Sequence, residues 1–476
     1  MLFNSFSYML FLPIVLLVYW LLPHRFRWIL ILFSSYYFYI SWNAKYVVLI
    51  FFTTLSSYVT ALVIERIKKR ELKIIILWFS LCFCLGVLFF FKYFNFFSIS
   101  LFTILKKFSI GKNPIIVNVL LPVGISFYTF QTLSYVIDVY KGNIEAEKHF
   151  GIYAAFVSFF PQLVAGPIER AENLLPQIKG RHQFDYDKAT YGLKLMAWGY
   201  FKKLCVADVL AIYVDMVYSS LHEYTGIDLL YAMLFFSIQI YCDFSGYSDI
   251  AIGSAKLLGI DLMTNFRSPY FAISIKDFWS KWHISLSTWF RDYVYIPLGG
   301  NRCGNIRHIF NLIITFLISG LWHGANWTFM IWGGIHGTAQ VLENYANGMI
   351  TAVRNNRLGK FISIIGVFIF GNIAWVFFRA ASIHDALYVL VNMLDGIWEG
   401  SHYFVNNIGL TKEKGLAIFC SIGVLSLFDF FSLKTDVILW LSRRNFVIRW
   451  MVYIALVVYI AFEAQIGNSS FIYFQF

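Results

Sequence analysis

The sequence is poor in charge. Only 13% of its 476 residues are Asp, Glu, Lys or Arg. Soluble domains carry roughly 25%, so a water-soluble globular fold is excluded. Cysteine is sparse and scattered. Cys82, Cys84, Cys205, Cys242, Cys303 and Cys420 form no CxxC pair. The two that stand close, Cys82 and Cys84, are spaced badly for one helix face. All six read as small buried hydrophobes. There is no HExxH motif and no Cys/His cluster with zinc spacing, so no metal ligands are expected. Polar linkers, soluble domains and internal repeats are also missing, which leaves a single membrane domain over residues 1–476.

What remains is apolar. The chain is 59% hydrophobic and 20% aromatic, with a mean hydropathy of +0.66. Its apolar runs approach or exceed ~18 residues rather than alternating over ~10, so the fold class is all-α and polytopic rather than a barrel. The runs fall near 5–22, 28–43, 46–64, 74–91, 115–138, 150–165, 189–217, 229–258, 309–322, 325–345, 359–378, 415–433 and 447–464. The first has no basic leader and no A-x-A-like cleavage site, and reads as a retained span. The run 150–165 meets Phe159-Phe160-Pro161 and then Gly166-Pro167. Proline removes a backbone donor, so a kinked or re-entrant segment is expected there. Residues 380–413 read as a less hydrophobic, interfacial insertion.

The net charge of +12 does not point to nucleic acid. Its basic residues sit in short loops, at His24-Arg25-Phe26-Arg27, Arg66-Ile67-Lys68-Lys69-Arg70 and Arg443-Arg444. Cytoplasmic loops carry such excess, which puts these three inside and both chain ends outside.

Residues 259–307 are too charged to span. Within them Phe278, Trp282, Ser285 and Trp289 recur at three- and four-residue steps. One amphipathic helix with an aromatic face is expected, and one reading of it is an interfacial helix anchored by tryptophans at the lipid boundary. It should end at the turn Pro297-Leu298-Gly299-Gly300.

Chemistry concentrates around Leu321-Trp322-His323-Gly324-Ala325-Asn326-Trp327, inside a stretch with no Asp, Glu, Lys or Arg between His308 and Glu343. An ionisable side chain at membrane depth is expensive and points to function, although a core histidine bonded to a neighbouring helix would also fit. His283 lies 40 residues earlier, on the amphipathic segment. A neutral buried histidine can take a proton from a hydroxyl, as acyl transfer requires. Such a transfer also needs donors for the oxyanion, and Asn326, Trp322 and Trp327 carry N–H groups near His323. His336 is a rival 13 residues on from His323. On one straight helix the two would face apart by roughly 220°, and the glycines around His336 suggest close helix packing. Asp243 and Asp249 mark a second polar island, either a substrate wall or a hydrogen-bond network that fixes the packing. In Phe160–Arg170, Glu169 and Arg170 could simply pair. The substrate-contacting candidates are Asp243, Ser245, Asn326, Trp322, Trp327, Trp282 and Arg291.

Taken together these motifs resemble the membrane-bound O-acyltransferase (MBOAT) superfamily. The chain looks most like its bacterial branch for alginate, peptidoglycan and exopolysaccharide O-acetylation. The resemblance rests on Met1-Leu2-Phe3-Asn4-Ser5, Phe160–Arg170, Asp243–Asp249, the 276–302 block ending Pro297-Leu298-Gly299-Gly300-Asn301-Arg302, and Leu321-Trp322-His323-Gly324, in this order. It implies about eleven spans with re-entrant and interfacial helices around a funnel and tunnel, and a core near residues 110–380. His323 matches the family's near-invariant histidine and His283 its second polar residue. The resemblance further implies a cytoplasmic acyl thioester, such as acetyl-CoA, as donor substrate, with no resident cofactor. It implies an extracytoplasmic glycan acceptor and a bacterial inner-membrane location. Because the chain carries no hydrolase-like domain, a separate SGNH-type acetyltransferase or acyl-accepting protein would complete the transfer. D-alanyl transfer to teichoic acid is the alternative within the superfamily; a glycan or lipid transporter is the alternative outside it.

Overall fold

A computed structural model describes residues 1–109, 113–164, 166–346, 348, 353–396, 408–465 and 471–472. No strand occurs among the described residues. In chain order the helices are α1 (Phe6–Leu21), α2 (His24–Ile40), α3 (Val47–Arg66), α4 (Arg70–Leu88), α5 (Phe94–Lys107), α6 (Ile125–Lys141), α7 (Phe150–Ser158), α8 (Phe160–Leu163), α9 (Ala171–Lys179) and α10 (Tyr186–Tyr200). There follow α11 (Asp208–Ser219), α12 (Ile227–Leu257), α13 (Ile275–Lys281), α14 (Ile284–Phe290), α15 (Asn305–His323) and α16 (Trp327–Tyr345). The last are α17 (Arg357–Arg379), α18 (Ile383–Asn392), α19 (Lys412–Ser432), α20 (Val437–Ser442) and α21 (Phe446–Glu463). Among the described residues, seven helical stretches are long and apolar enough to cross a membrane: Ala44–Arg66, Arg70–Lys107, Ile227–Leu257, Asn305–His323, Arg357–Arg379, Lys412–Ser432 and Phe446–Glu463. The chain is therefore an all-α, multi-pass membrane protein. The last of these helices buries none of its residues and exposes Phe446, Trp450, Ile454, Val457 and Phe462, a surface suited to lipid.

The residues fall into two compact units, Met1–Leu193 with Ala251–Met263, and Lys194–Ile250 with Thr264–Phe476. In the first unit, helix contacts are sealed by buried hydroxyls and amides, as in membranes, where apolar surface alone gives helices little reason to associate. Ser57 meets Tyr153 at 2.7 Å, Gln131 donates to the Phe156 carbonyl at 2.9 Å, and the Phe160 N–H donates to Ser35 at 3.0 Å. The apolar run at 115–138 turns helical only from Ile125. Pro114 and Pro122 precede that start, and Gly124 takes a left-handed φ of 76°. A methyl group at Gly124 would stand 2.6 Å from the Leu163 carbonyl oxygen. The segment after residue 150 is broken as expected. The break is at Phe159, and Pro161 opens the short α8, where a missing N–H costs nothing. Glu169 accepts N–H groups from Met263 and, at 2.7 Å, from Asn173. Burial pushes its carboxyl up to about 7.

In the second unit α15 and α16 form a close antiparallel pair. A methyl at Gly320 would lie 2.2 Å from the Phe329 carbonyl oxygen, and one at Gly333 would lie 2.3 Å from that of Phe316. The glycines near His336 thus serve backbone-to-backbone approach. Part of the insertion at 380–413 is the short helix α18, which buries Ala386 and Val389; residues 397–407 lie outside the described set.

The amphipathic segment departs from expectation. It is two short helices, α13 and α14, broken at Trp282–His283, followed by a π-helical stretch Arg291–Tyr295. Its aromatic face is nonetheless continuous, because Phe278, Trp282, Ser285 and Trp289 are all buried. They pack inside the protein and do not serve as lipid-interface anchors. The helical period predicted the face but carried no sign of the break, which depends on the left-handed φ of 43° at His283.

Candidate active site

His283 sits in the break. Its strained φ is held by the segment before α13, where the Ile284 N–H donates to the Asn265 carbonyl at 2.9 Å and the Arg267 N–H to the Lys281 carbonyl at 3.0 Å. The side chain of Asn265 finishes the cradle. Its Oδ1 lies 3.1 Å from His283 Nδ1 and accepts the Ser285 hydroxyl at 2.9 Å, while its Nδ2 donates to Ser248 at 3.1 Å. An amide oxygen only accepts, so Nδ1 carries the imidazole proton and Nε2 keeps its lone pair. His283 is fully buried, and desolvation pushes its pKa down to about 3. It is neutral at any physiological pH. Asn265 was passed over in the sequence because it lay in a polar loop without motif spacing.

His323 ends α15 and is 2% exposed. Its ring centroid is 6.4 Å from that of His283. The two histidines that the sequence placed 40 residues apart therefore share one site. Trp322 stands beside both, 5.0 Å from His323 and 6.0 Å from His283. Trp332 at 5.0 Å and Phe378 at 5.3 Å complete an aromatic wall around His323.

His336 does not point away from His323, as a continuous helix would demand. The chain leaves helical geometry at Gly324 and restarts at Trp327, so the two histidines lie on different helices and flank the same indole. Trp332 is 5.0 Å from His323 and 4.9 Å from His336. The Trp279 indole N–H donates to His336 Nδ1 at 3.3 Å.

The other candidates separate. Trp282 is fully buried among Tyr241, Phe266, Phe278 and Trp375, one residue from His283. Asn326 is committed elsewhere: its oxygen caps α16 through the Thr328 N–H, and its Nδ2 donates to the Ala381 carbonyl at 2.9 Å. Trp327 is 49% exposed at the start of α16 and contributes to a separate apolar surface with Met330 and Ile331. Asp243 and Ser245 belong to a buried ion cluster. Lys203 bridges Asp208 at 2.7 Å and Asp243 at 2.6 Å, while Lys202 reaches Asp249 at 2.6 Å and Ser245 at 3.0 Å. Both lysines come from a π-helical stretch, Phe201–Ala207. Asp243 also accepts the Ile472 N–H at 2.8 Å. This cluster is an internal network of ion pairs and hydrogen bonds, and the aromatic ring of Phe244 next to it lies 4.5 Å from His283.

Arg291 lines a cavity of about 710 Å³ bounded by α13, α14, α15 and α16. Lys276, His308 and Asn301 also line it, and Trp279 and Ser319 border it. Ser319 precedes His323 by four residues on α15, one turn on the same face. The cavity is thus bordered by Ser319, one helical turn before His323, and by Trp279, which bonds His336.

Comparison with known proteins gives the family. The model of the membrane-bound O-acyltransferase family matches residues 149–383. A probable alginate O-acetylase of Pseudomonas putida is 37% identical over 98% of this chain and 98% of its own. A peptidoglycan O-acetyltransferase of Helicobacter pylori is 37% identical over 76% of this chain and 72% of its own. A teichoic acid D-alanyltransferase of Bacillus subtilis is 26% identical over 55% of this chain and 69% of its own. All-α architecture, two buried histidines on facing elements and this likeness converge: the chain belongs to the membrane-bound O-acyltransferase family and is an O-acyltransferase.

Proposed function

We propose that the protein moves an acetyl group from a cytoplasmic thioester across the bacterial inner membrane toward an extracytoplasmic polysaccharide or peptidoglycan. The observation that carries this reading is the pair of buried histidines, 6.4 Å apart in an aromatic pocket. The names of the alginate and peptidoglycan relatives favour acetyl over D-alanyl transfer, because those relatives are more similar and cover more of the chain. A glycan or lipid transporter gains nothing from such a pair.

The donor would enter the 710 Å³ cavity, whose Lys276 and Arg291 suit the phosphates of acetyl-CoA or another anionic thioester carrier. The basic loops at 24–27 and 66–70 support a cytoplasmic side for both, and an N-terminus outside. His323 takes the proton of an acceptor hydroxyl as its oxygen attacks the thioester carbonyl. The ester forms, the carbon–sulfur bond breaks, and the proton passes to the departing thiolate. His283, held in one tautomer, orients the donor or steadies charge. A second reading, in which His283 is the base, is favoured by the Asn265 contact, which puts the proton on Nδ1 and the lone pair on Nε2. Final delivery to the glycan falls to an SGNH-type acetyltransferase or an acyl-accepting partner protein.

The test is the alkali-labile acetate on surface glycans of cells that carry the intact protein, lack it, or express His323→Ala at matched level. Equal loss in the last two supports the reading. Unchanged acetate with the substitution would remove His323 from the chemistry, and D-alanine in place of acetate would move the protein to the teichoic acid branch.

A further inference from the structure

Three side chains from distant parts of the second unit converge away from the histidine pocket. His222 stands in the turn after α11, and His384 and Asp385 stand in the first turn of α18. One ligand atom from each lies within 4.8 Å of the other two. His222 Nε2 is 3.5 Å from Asp385 Oδ1, and the two imidazole centroids are 5.9 Å apart. Around a tetrahedral zinc with bonds near 2.1 Å, ligand atoms stand about 3.4 Å apart. The His222–Asp385 separation already meets this. The third ligand atom, on the exposed His384, lies within 4.8 Å of both.

The surroundings hold two of the ligands, Asp385 and His222, in place. Ser382 donates its hydroxyl to Asp385 Oδ2 at 2.8 Å, which turns Oδ1 toward His222. Tyr388 packs edge-on against His222 at 4.5 Å and donates to the Tyr224 carbonyl at 3.1 Å. The Gly226 N–H donates to the Asn392 carbonyl at 2.8 Å, so the turn bearing His222 is docked along the whole of α18. Oriented second-layer contacts of this kind are what a metal site needs from its protein.

We propose that His222, His384 and Asp385 bind one divalent transition metal ion, zinc by the chemistry of two imidazoles and a carboxylate, with the fourth position open to water. The ion staples the α11–α12 turn to α18. Just before α18, Phe378 packs 5.3 Å from His323 and the Ala381 carbonyl accepts from Asn326 at 2.9 Å. The staple therefore braces the segment that forms one wall of the site. No spacing motif marks it, since the first ligand precedes the other two by more than 160 residues.

The test is zinc titration of the full-length, tag-free protein in detergent after chelator treatment, read by calorimetry and by thermal unfolding. One saturating equivalent is expected, with a rise in Tm that EDTA reverses. His222→Ala and His384→Ala should each weaken binding by at least about tenfold and abolish the rise. Asp385→Asn, which keeps the helix cap, should weaken it less. Elution as a single species by size exclusion separates loss of the site from loss of fold. Absence of saturable binding, or equal binding by intact protein and both alanine variants, would overturn the proposal. Neither result bears on the role of His323.

Discussion

Two regions of the second unit bury polar side chains by opposite means. Around Lys203 the groups are charged, and every charge has an opposite within 2.7 Å: Lys203 with Asp208 and Asp243, Lys202 with Asp249. Around His283 and His323 the walls are the aromatic rings of Trp322, Trp332, Phe244 and Phe378. A carboxylate or ammonium cannot be buried alone, whereas an imidazole can shed its charge. The first arrangement makes a scaffold. The second sets two imidazoles in an aromatic pocket, and on the proposed reading the proton passes to and from the substrate there.

Substitutions should break the two regions differently. The largest effect is expected from His323→Ala, which should cut acetyl transfer by roughly a hundred- to ten-thousand-fold while leaving Tm and membrane accumulation near those of the intact protein; ester assay and thermal unfolding together check this. Lys203→Met should do the reverse. It strands Asp208 and Asp243, a loss of about 3–5 kcal/mol, and the protein should fail to accumulate in membranes, as immunoblotting would read. Normal accumulation would mean that the cluster is not a scaffold.

Smaller effects sharpen the contrast. Asn265→Ala removes the acceptor that fixes His283 and should slow transfer by roughly ten- to a hundredfold, the range found when a functional side chain loses its orienting partner, with a modest change in Tm. The pH dependence of stability follows from the neutral imidazole. Folded His283 takes no proton until near pH 3, whereas the unfolded chain takes one below its ordinary value of about 6.5. The unfolded state therefore gains as pH falls through this window, and stability declines by about 1.4 kcal/mol per pH unit from His283 alone. Tm measured from pH 7.5 to 5 should drop, and less steeply in His283→Gln. The smallest change is expected from Trp279→Phe, which keeps the ring but deletes the donor to His336 Nδ1, worth about 1 kcal/mol; a loss of transfer comparable to that of His323→Ala would instead bring His336 into the chemistry.

Much of the fold was legible in the hydropathy. The helices at 47–66, 305–323 and 327–345 stand within a few residues of the apolar runs, because lipid forces each spanning backbone to close its own hydrogen bonds. The break near Pro161 was also readable, since proline acts locally. Residues 113–124 misled, as their apolarity hid two prolines and a left-handed glycine. The segment 276–293 misled in another way. Its period marked the buried face but could not reveal that His283 interrupts the helix, since that strain is maintained by Asn265 from outside the segment.

By itself, then, the sequence determined an all-α membrane protein, the two histidines worth watching and the family, because charge content, helical period and motif order are properties of neighbouring residues. Only the tertiary structure decided that His283 and His323 meet, that Asn265 fixes one tautomer, that Asn326 and Trp327 serve other contacts, and that His222 joins His384 and Asp385. Each of these depends on side chains distant in the chain, and packing and buried hydrogen bonds bring them within a few ångströms of one another.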